Sequence, residues 1–160
     1  MKKITRLFYL LGFFFMPMLV SVTALASNVQ MTVQLQNYGG DGAYLAFYLT
    51  DEKGAYTDTL WIAGTKPKYY KHLPGWARGS GRRASEYDGL TGASVSAGDT
   101  FTVTVHIDDA FINAGFQIRV DASVEDMRDI SNEVVVPLTT SGAGLNHTGR
   151  HYVRNFKYSL

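Results

Sequence analysis

The chain has no cysteine. That excludes disulfides, a thiolate nucleophile, a cysteine-held iron–sulfur cluster and c-type haem attachment. It also excludes a lipid-modified cysteine after the N-terminal apolar run. A domain of this kind must be stable by packing alone, and an aromatic content of 13% makes that feasible. Charge is nearly balanced, with 15 Lys and Arg against 14 Asp and Glu. No nucleic-acid partner is expected from such a balance. Among the four histidines only His147 and His151 stand in H-x-x-x-H spacing and none in H-x-E, G-x-S-x-G is absent, and no EF-type calcium loop occurs. There is no internal repeat, long linker or second composition regime.

What is present begins with an address. Lys2, Lys3 and Arg6 precede an apolar stretch from Leu7 to Val20, and Ala24-Leu25-Ala26 is a small-x-small cleavage site. The apolar stretch is short for a spanning helix and is interrupted by Pro17. Residues 1–26 are therefore read as a cleavable secretory signal, with an uncleaved anchor as the rival reading. Residues 27–160 are read as a single domain in the periplasm, with no stable membrane insertion of the mature chain. The leader carries three of the basic residues and no acidic one, so the remainder has a formal charge of −2.

The remainder alternates. Val29, Met31, Val33 and Leu35 point one way along a first strand, with Gln and Thr between them. In Ala43 to Thr50 both faces are apolar, which predicts a central strand. Asp51-Glu52-Lys53-Gly54 predicts a tight hairpin into a third strand from Tyr56 to Ile62. Lys66 to Arg78 predicts a short or broken helix, because Pro67 suits a first turn and Pro74 forbids a long one. Tyr69, Leu73 and Trp76 are placed on its inward face, with Tyr70 beside it, and the segment is expected to pack across the edge of a sandwich. Further strands are predicted at Asp99 to Ile107, Gly115 to Ala122, Glu133 to Leu138 and Arg150 to Leu160. About seven strands at this spacing predict an all-β, immunoglobulin-like sandwich with one short helical insertion.

Asp88-Gly89-Leu90-Thr91-Gly92-Ala93-Ser94 follows the helical insertion. As local chemistry it is a turn. It also resembles the acceptor motif of bacterial FAD:protein FMN transferases, which link FMN through a phosphoester to the last hydroxyl of the motif, here Ser94. Small neighbours such as Gly92 and Ala93 let an enzyme thread that hydroxyl into its own site. Asp88 and Thr91 are candidates to hold the loop through side-chain hydrogen bonds to local backbone. The motif more often ends in Thr. Just before it lie Lys66, Lys68, Lys71, Arg78, Arg82 and Arg83, with no acidic residue between Asp58 and Glu86. Such a patch suits a phosphate, and positive charge near a flavin stabilises its reduced anion and raises its potential. Arg82 and Arg83 are thus candidates for cofactor binding. The competing reading is a solvated helical face over a buried aromatic side, with Trp76 in the core. His147 with His151, and Asp108-Asp109 or Asp126 with Asp129, are minor metal candidates.

The stretch from Gly42 to about Ser94 resembles a family of predicted bacterial periplasmic proteins, domain of unknown function 2271. The matching residues are Ala43-Tyr44-Leu45-Ala46-Phe47-Tyr48, Asp51, Gly54, Leu60-Trp61, Lys68-Tyr69, Leu73, Trp76, Arg78 and the Asp88–Ser94 loop. Weaker likeness runs on to Arg150-His151-Tyr152. Trp76-Ala77 stands where members have two adjacent aromatics. The resemblance implies the company of FMN transferases and of PepSY-type inner-membrane redox proteins. Two functions are expected, the first from the motif and this resemblance, the second from the sandwich body and its basic aromatic patch. One is an electron carrier with FMN covalently held on Ser94 by a partner FAD:protein FMN transferase, more a carrier than an enzyme. The other is a non-catalytic immunoglobulin-like binding module for a membrane partner or an iron or haem ligand.

Overall fold

The computed structural model describes residues 25–160. The leader reading lies outside the described residues, apart from Leu25 and Ala26. Among the described residues eight strands form two sheets: β1 (Ala26–Leu35), β2 (Tyr44–Thr50), β3 (Tyr56–Ala63), β4 (Thr91–Gly92), β5 (Thr100–Asp108), β6 (Gln117–Ser123), β7 (Ile130–Pro137) and β8 (Val153–Ser159). One sheet has the order β5-β1-β8 and the other β4-β3-β2-β6-β7. The run β3-β2-β6-β7 reproduces the C′-C-F-G order of a variable-type immunoglobulin sheet, and β5-β1 reproduces the E-B pair. The last strand of the chain, β8, pairs antiparallel with β1 and takes the place that the first strand has in an immunoglobulin domain. The expected all-β sandwich with a short helix is what forms.

The first-strand alternation holds residue by residue: Val29, Met31, Val33 and Leu35 are all buried between the sheets. They meet Leu45, Phe47 and Leu49 of β2, Ile118 and Val120 of β6, and Phe156 and Tyr158 of β8 in one core. The hairpin between β2 and β3 turns at Gly54, whose φ of 84° suits glycine. β7 is an edge strand and Pro137 ends it, where no ladder donor is needed.

The other face of β2 explains why that strand is apolar on both sides. Ala46 and Tyr48, with Ile62 of β3, pack against Tyr70, Leu73 and Trp76 in a second core. The helical insertion therefore covers the outer face of the five-stranded sheet; it does not cross the sandwich edge. It consists of a 3-10 segment (Pro67–His72) and a seven-residue helix, α1 (Pro74–Ser80), broken at Pro74 as expected. Its buried face is Tyr70, not Tyr69. Three-residue spacing, 70-73-76, matches the tighter 3-10 winding of the first segment better than helical i, i+4 spacing does.

A seven-residue helix has little stability of its own. Its first turn has no cap from its own chain neighbours. The cap comes from β6. Asp121 is fully buried, and one carboxylate oxygen accepts from the N–H groups of Gly75 (2.5 Å) and Trp76 (2.8 Å). The other oxygen accepts from the Tyr48 hydroxyl (3.0 Å) and the Asn132 N–H (2.9 Å). Burial and the adjacent Asp121 charge push the Tyr48 hydroxyl well above the usual tyrosine range, so it remains a proton donor. Gly81, in a left-handed conformation (φ 63°), ends the helix. Glu133 plays a similar part on β7: one of its oxygens accepts from the N–H groups of His151, Tyr152 and Val153 at 2.7–2.8 Å, fixing the entry into β8.

Candidate functional site

The Asp88–Ser94 stretch is a turn that runs into a short strand. A 3-10 turn (Ala84–Glu86) leads in, and the Asp88 N–H closes onto the Ala84 carbonyl (2.9 Å). Gly89 then reverses the chain with φ 76°. β4 lies parallel to β3, pairing Thr91 with Ile62 and Gly92 with Ala63. Three residues on, Val95 exchanges both main-chain hydrogen bonds with Ala43 (2.7 and 3.0 Å). Main-chain bonds thus fix the loop on both sides of Ser94. Among the described residues the side chains of Asp88 and Thr91 make no hydrogen bond; the backbone they were expected to hold bonds instead to Ala84 and Tyr87 within the turn and to Ile62 and Gly64 of the neighbouring strand and its end.

Two glycines let the loop sit where it does. A Cβ at Gly92 would lie 2.9 Å from the Trp61 ring, so β4 packs flat on that indole only as glycine. A Cβ at Gly42 would lie 2.8 Å from the Ser94 Oγ. Ser94 and Ala93 are exposed, and among the described residues the Ser94 hydroxyl has no hydrogen-bond partner.

The lead-in is clamped by Glu86, which accepts from the Tyr56 hydroxyl and the Arg83 guanidinium. The first of these contacts, then the second, holds its carboxyl below the usual carboxylate range. A folded value below the unfolded one means that the clamp contributes fully above the unfolded value. That contribution is lost as pH falls through the folded value. Amide protection at Asp88 and Leu90, corrected for intrinsic exchange, is therefore expected to decline on acidification in the wild type. In Glu86→Gln it should be lower and nearly flat over the same range.

A groove opens at Ser94. Its near part, about 290 Å³, is bounded by Ser94, Ala93, Gly42, Tyr44, Lys66 and Tyr69, with Asp41 and Glu125 also on its walls. Asp41, Gly42, Tyr44, Tyr69 and Glu125 also bound an adjoining hollow of about 440 Å³ that reaches His72, Asp126 and Asp129. The Tyr44 and Tyr69 rings meet edge to face at 5.5 Å. Tyr44 lies directly over Gly64, where a Cβ would be 2.1 Å from its ring. Behind it, the Tyr70 hydroxyl donates to the Gly64 carbonyl (2.8 Å). Burial is the main reason that hydroxyl is pushed up to about 12, so it keeps its proton. At the far end His72 Nδ1 lies 2.9 Å from Asp129, which also accepts from the Ser123 hydroxyl (2.7 Å).

Of the expected site residues, Ser94 and Ala93 line the groove, and Asp88, Thr91 and Gly92 carry the loop. Arg82 and Arg83 are exposed and do not line the groove; Arg83 is engaged with Glu86, and Arg82 adopts φ 56° after the helix end. Of the basic segment, Lys66 and His72 reach the groove. Its acidic wall was not foreseen. Trp76 is fully buried and donates to Thr59 Oγ1 (2.9 Å), which makes it core, as the competing reading had it. Among the described residues no group of three or more His, Asp or Glu is placed to hold a metal ion.

Fold and site together define a class: an immunoglobulin-like sandwich whose helical cover and β4 loop frame an aromatic, acid-walled groove beside an exposed serine. No helix among the described residues is long and apolar enough to cross a membrane. The family described as "Predicted periplasmic protein (DUF2271)" matches residues 26–155, and the chain belongs to that family. No curated protein and no solved structure matches it.

Proposed function

We propose that this protein is a periplasmic electron carrier that holds FMN covalently on Ser94. The observation that carries the reading is the setting of Ser94: an exposed, unpartnered hydroxyl, backbone-fixed on both sides, at the mouth of an aromatic groove. The residues around it fit such a group. Gly42 leaves room against the Ser94 side chain, and Ala93 adds little bulk. Attachment balances as a phosphoryl transfer from FAD. The pyrophosphate bond of FAD breaks, Ser94 Oγ bonds to the FMN phosphorus, and AMP departs. The hydroxyl proton goes to a base of the FAD:protein FMN transferase. Ser94 needs no activating base of its own, since the transferase supplies it. A bound flavin supplies one- and two-electron steps. The chain's part is to hold it in reach of a PepSY-type inner-membrane partner.

Co-expression with an FAD:protein FMN transferase tests this. A denaturing gel removes any influence of the fold on emission. Wild type is expected to give a fluorescent band, Ser94→Thr to keep it and Ser94→Ala to lose it. A dark wild-type band, or an undiminished Ser94→Ala band, contradicts the reading. A dark band would favour the binding-module alternative.

A further inference from the structure

The groove leads away from Ser94 in one direction. β4 lies flat on Trp61, and the Ala43–Val95 bridge closes the side behind Ser94. The open direction runs over Gly42 to Tyr44 and Tyr69 and on toward His72 and Asp129. Volumes of about 290 and 440 Å³ are of the size that small-molecule sites occupy. Both tyrosines are half-buried, and their positions are fixed from behind. Tyr44 rests on Gly64 and lies 6.3 Å from the Tyr70 ring, and Lys68 Nζ sits 4.7 Å from the centre of Tyr69. They form a ready aromatic surface that needs little ordering on contact.

The charge along this surface has one predominant sign. Asp41, Glu125, Asp126 and Asp129 outnumber Lys66, His72 and the Lys68 ammonium over Tyr69, and His72 is engaged with Asp129. An added negative charge in the groove is therefore opposed by the net field of its walls. Reduction of a flavin that leaves it anionic adds such a charge, and nearby protein charge tunes flavin electronics.

Resting on the Ser94 reading, we propose that the ring system of Ser94-linked FMN lies in this groove against Tyr44 and Tyr69, and that the carboxylate wall sets its potential below that of free FMN. This reverses the direction expected from the basic stretch in the sequence, because Arg82 and Arg83 point elsewhere.

Intact mass is measured first, so that attachment and seating are judged separately. On loaded, folded protein, flavin emission is expected to be quenched several-fold relative to the same protein unfolded. Tyr69→Leu and Tyr44→Leu should each restore much of it. Glu125→Gln with Asp126→Asn should raise the midpoint potential, more so at low ionic strength. Loaded protein that is unquenched, with a potential unmoved by these variants, overturns the proposal while leaving attachment intact. If no mass is gained, the Ser94 reading fails and riboflavin titrated into unmodified protein decides the groove. Quenching that is weakened in Tyr69→Leu upholds the seat, and equal emission from both proteins overturns it.

Discussion

Asp121→Ala is expected to lower stability by about 3–5 kcal/mol, enough to leave a domain of this size marginal. The carboxylate is fully buried and accepts four hydrogen bonds, from Gly75, Trp76, Tyr48 and Asn132. Alanine leaves all four donors facing a cavity without an acceptor. Each such loss costs about 1–3 kcal/mol on its own, and the losses do not simply add. Asparagine is not a safe replacement: its NH₂ group would be turned toward N–H and O–H donors. The consequence beyond stability is local. Without this cap the seven-residue α1 has no acceptor for its first amides, and the second core under Tyr70, Leu73 and Trp76 loosens. Urea unfolding followed by tryptophan fluorescence measures the loss. Wild-type stability in Asp121→Ala would mean that the helical cover does not depend on β6 for its start.

Gly64→Ala is expected to cost about 2–5 kcal/mol and to rebuild the groove. Two effects act together. The φ of 123° is one that side-chain-bearing residues rarely adopt, at about 1–3 kcal/mol. The new methyl would stand 2.1 Å from the Tyr44 ring, and overpacking of this kind costs about 1–3 kcal/mol. The ring is the part that must move, since the Gly64 carbonyl is held by the Tyr70 hydroxyl. A folded Gly64→Ala protein should therefore carry flavin on Ser94 yet show weaker quenching. Thermal unfolding gives the stability change, and emission of the loaded protein gives the displacement of Tyr44. Unchanged thermal stability would show that the β3 end is free to shift.

Alternation made the sandwich legible. Val29 to Leu35 showed an inward face, and the doubly apolar β2 showed a strand with cover on both sides. What lay in the cover was harder to read. Tyr69 was placed inward on helical spacing, whereas the 3-10 winding before Pro74 puts Tyr70 there. Asp121 occupies an outward, polar position of its strand. Only a helix that starts 47 residues earlier turns that position into a buried one. Glu133, expected to open a strand, lies inside β7, and its charge is consumed by three amides of residues 151–153. The motif at Asp88–Ser94 was visible, but the groove beside it was not. Tyr44 and Tyr69 were each assigned to their own element, Asp126 and Asp129 were weighed only as a metal pair, and Glu125 was assigned no role. Sheet order brings these stretches together, and no local pattern records sheet order. For the same reason Lys66, Arg82 and Arg83 looked like one patch, although only Lys66 reaches the groove.

Peptide mapping by mass spectrometry, after co-expression with an FAD:protein FMN transferase, reads the attachment site itself. A gain of one FMN less one water is expected, confined to the tryptic peptide that begins at Ala84, with fragment ions placing it on Ser94. No such gain, or the same gain on Thr91 or Ser96 with Ser94 unmodified, would contradict it.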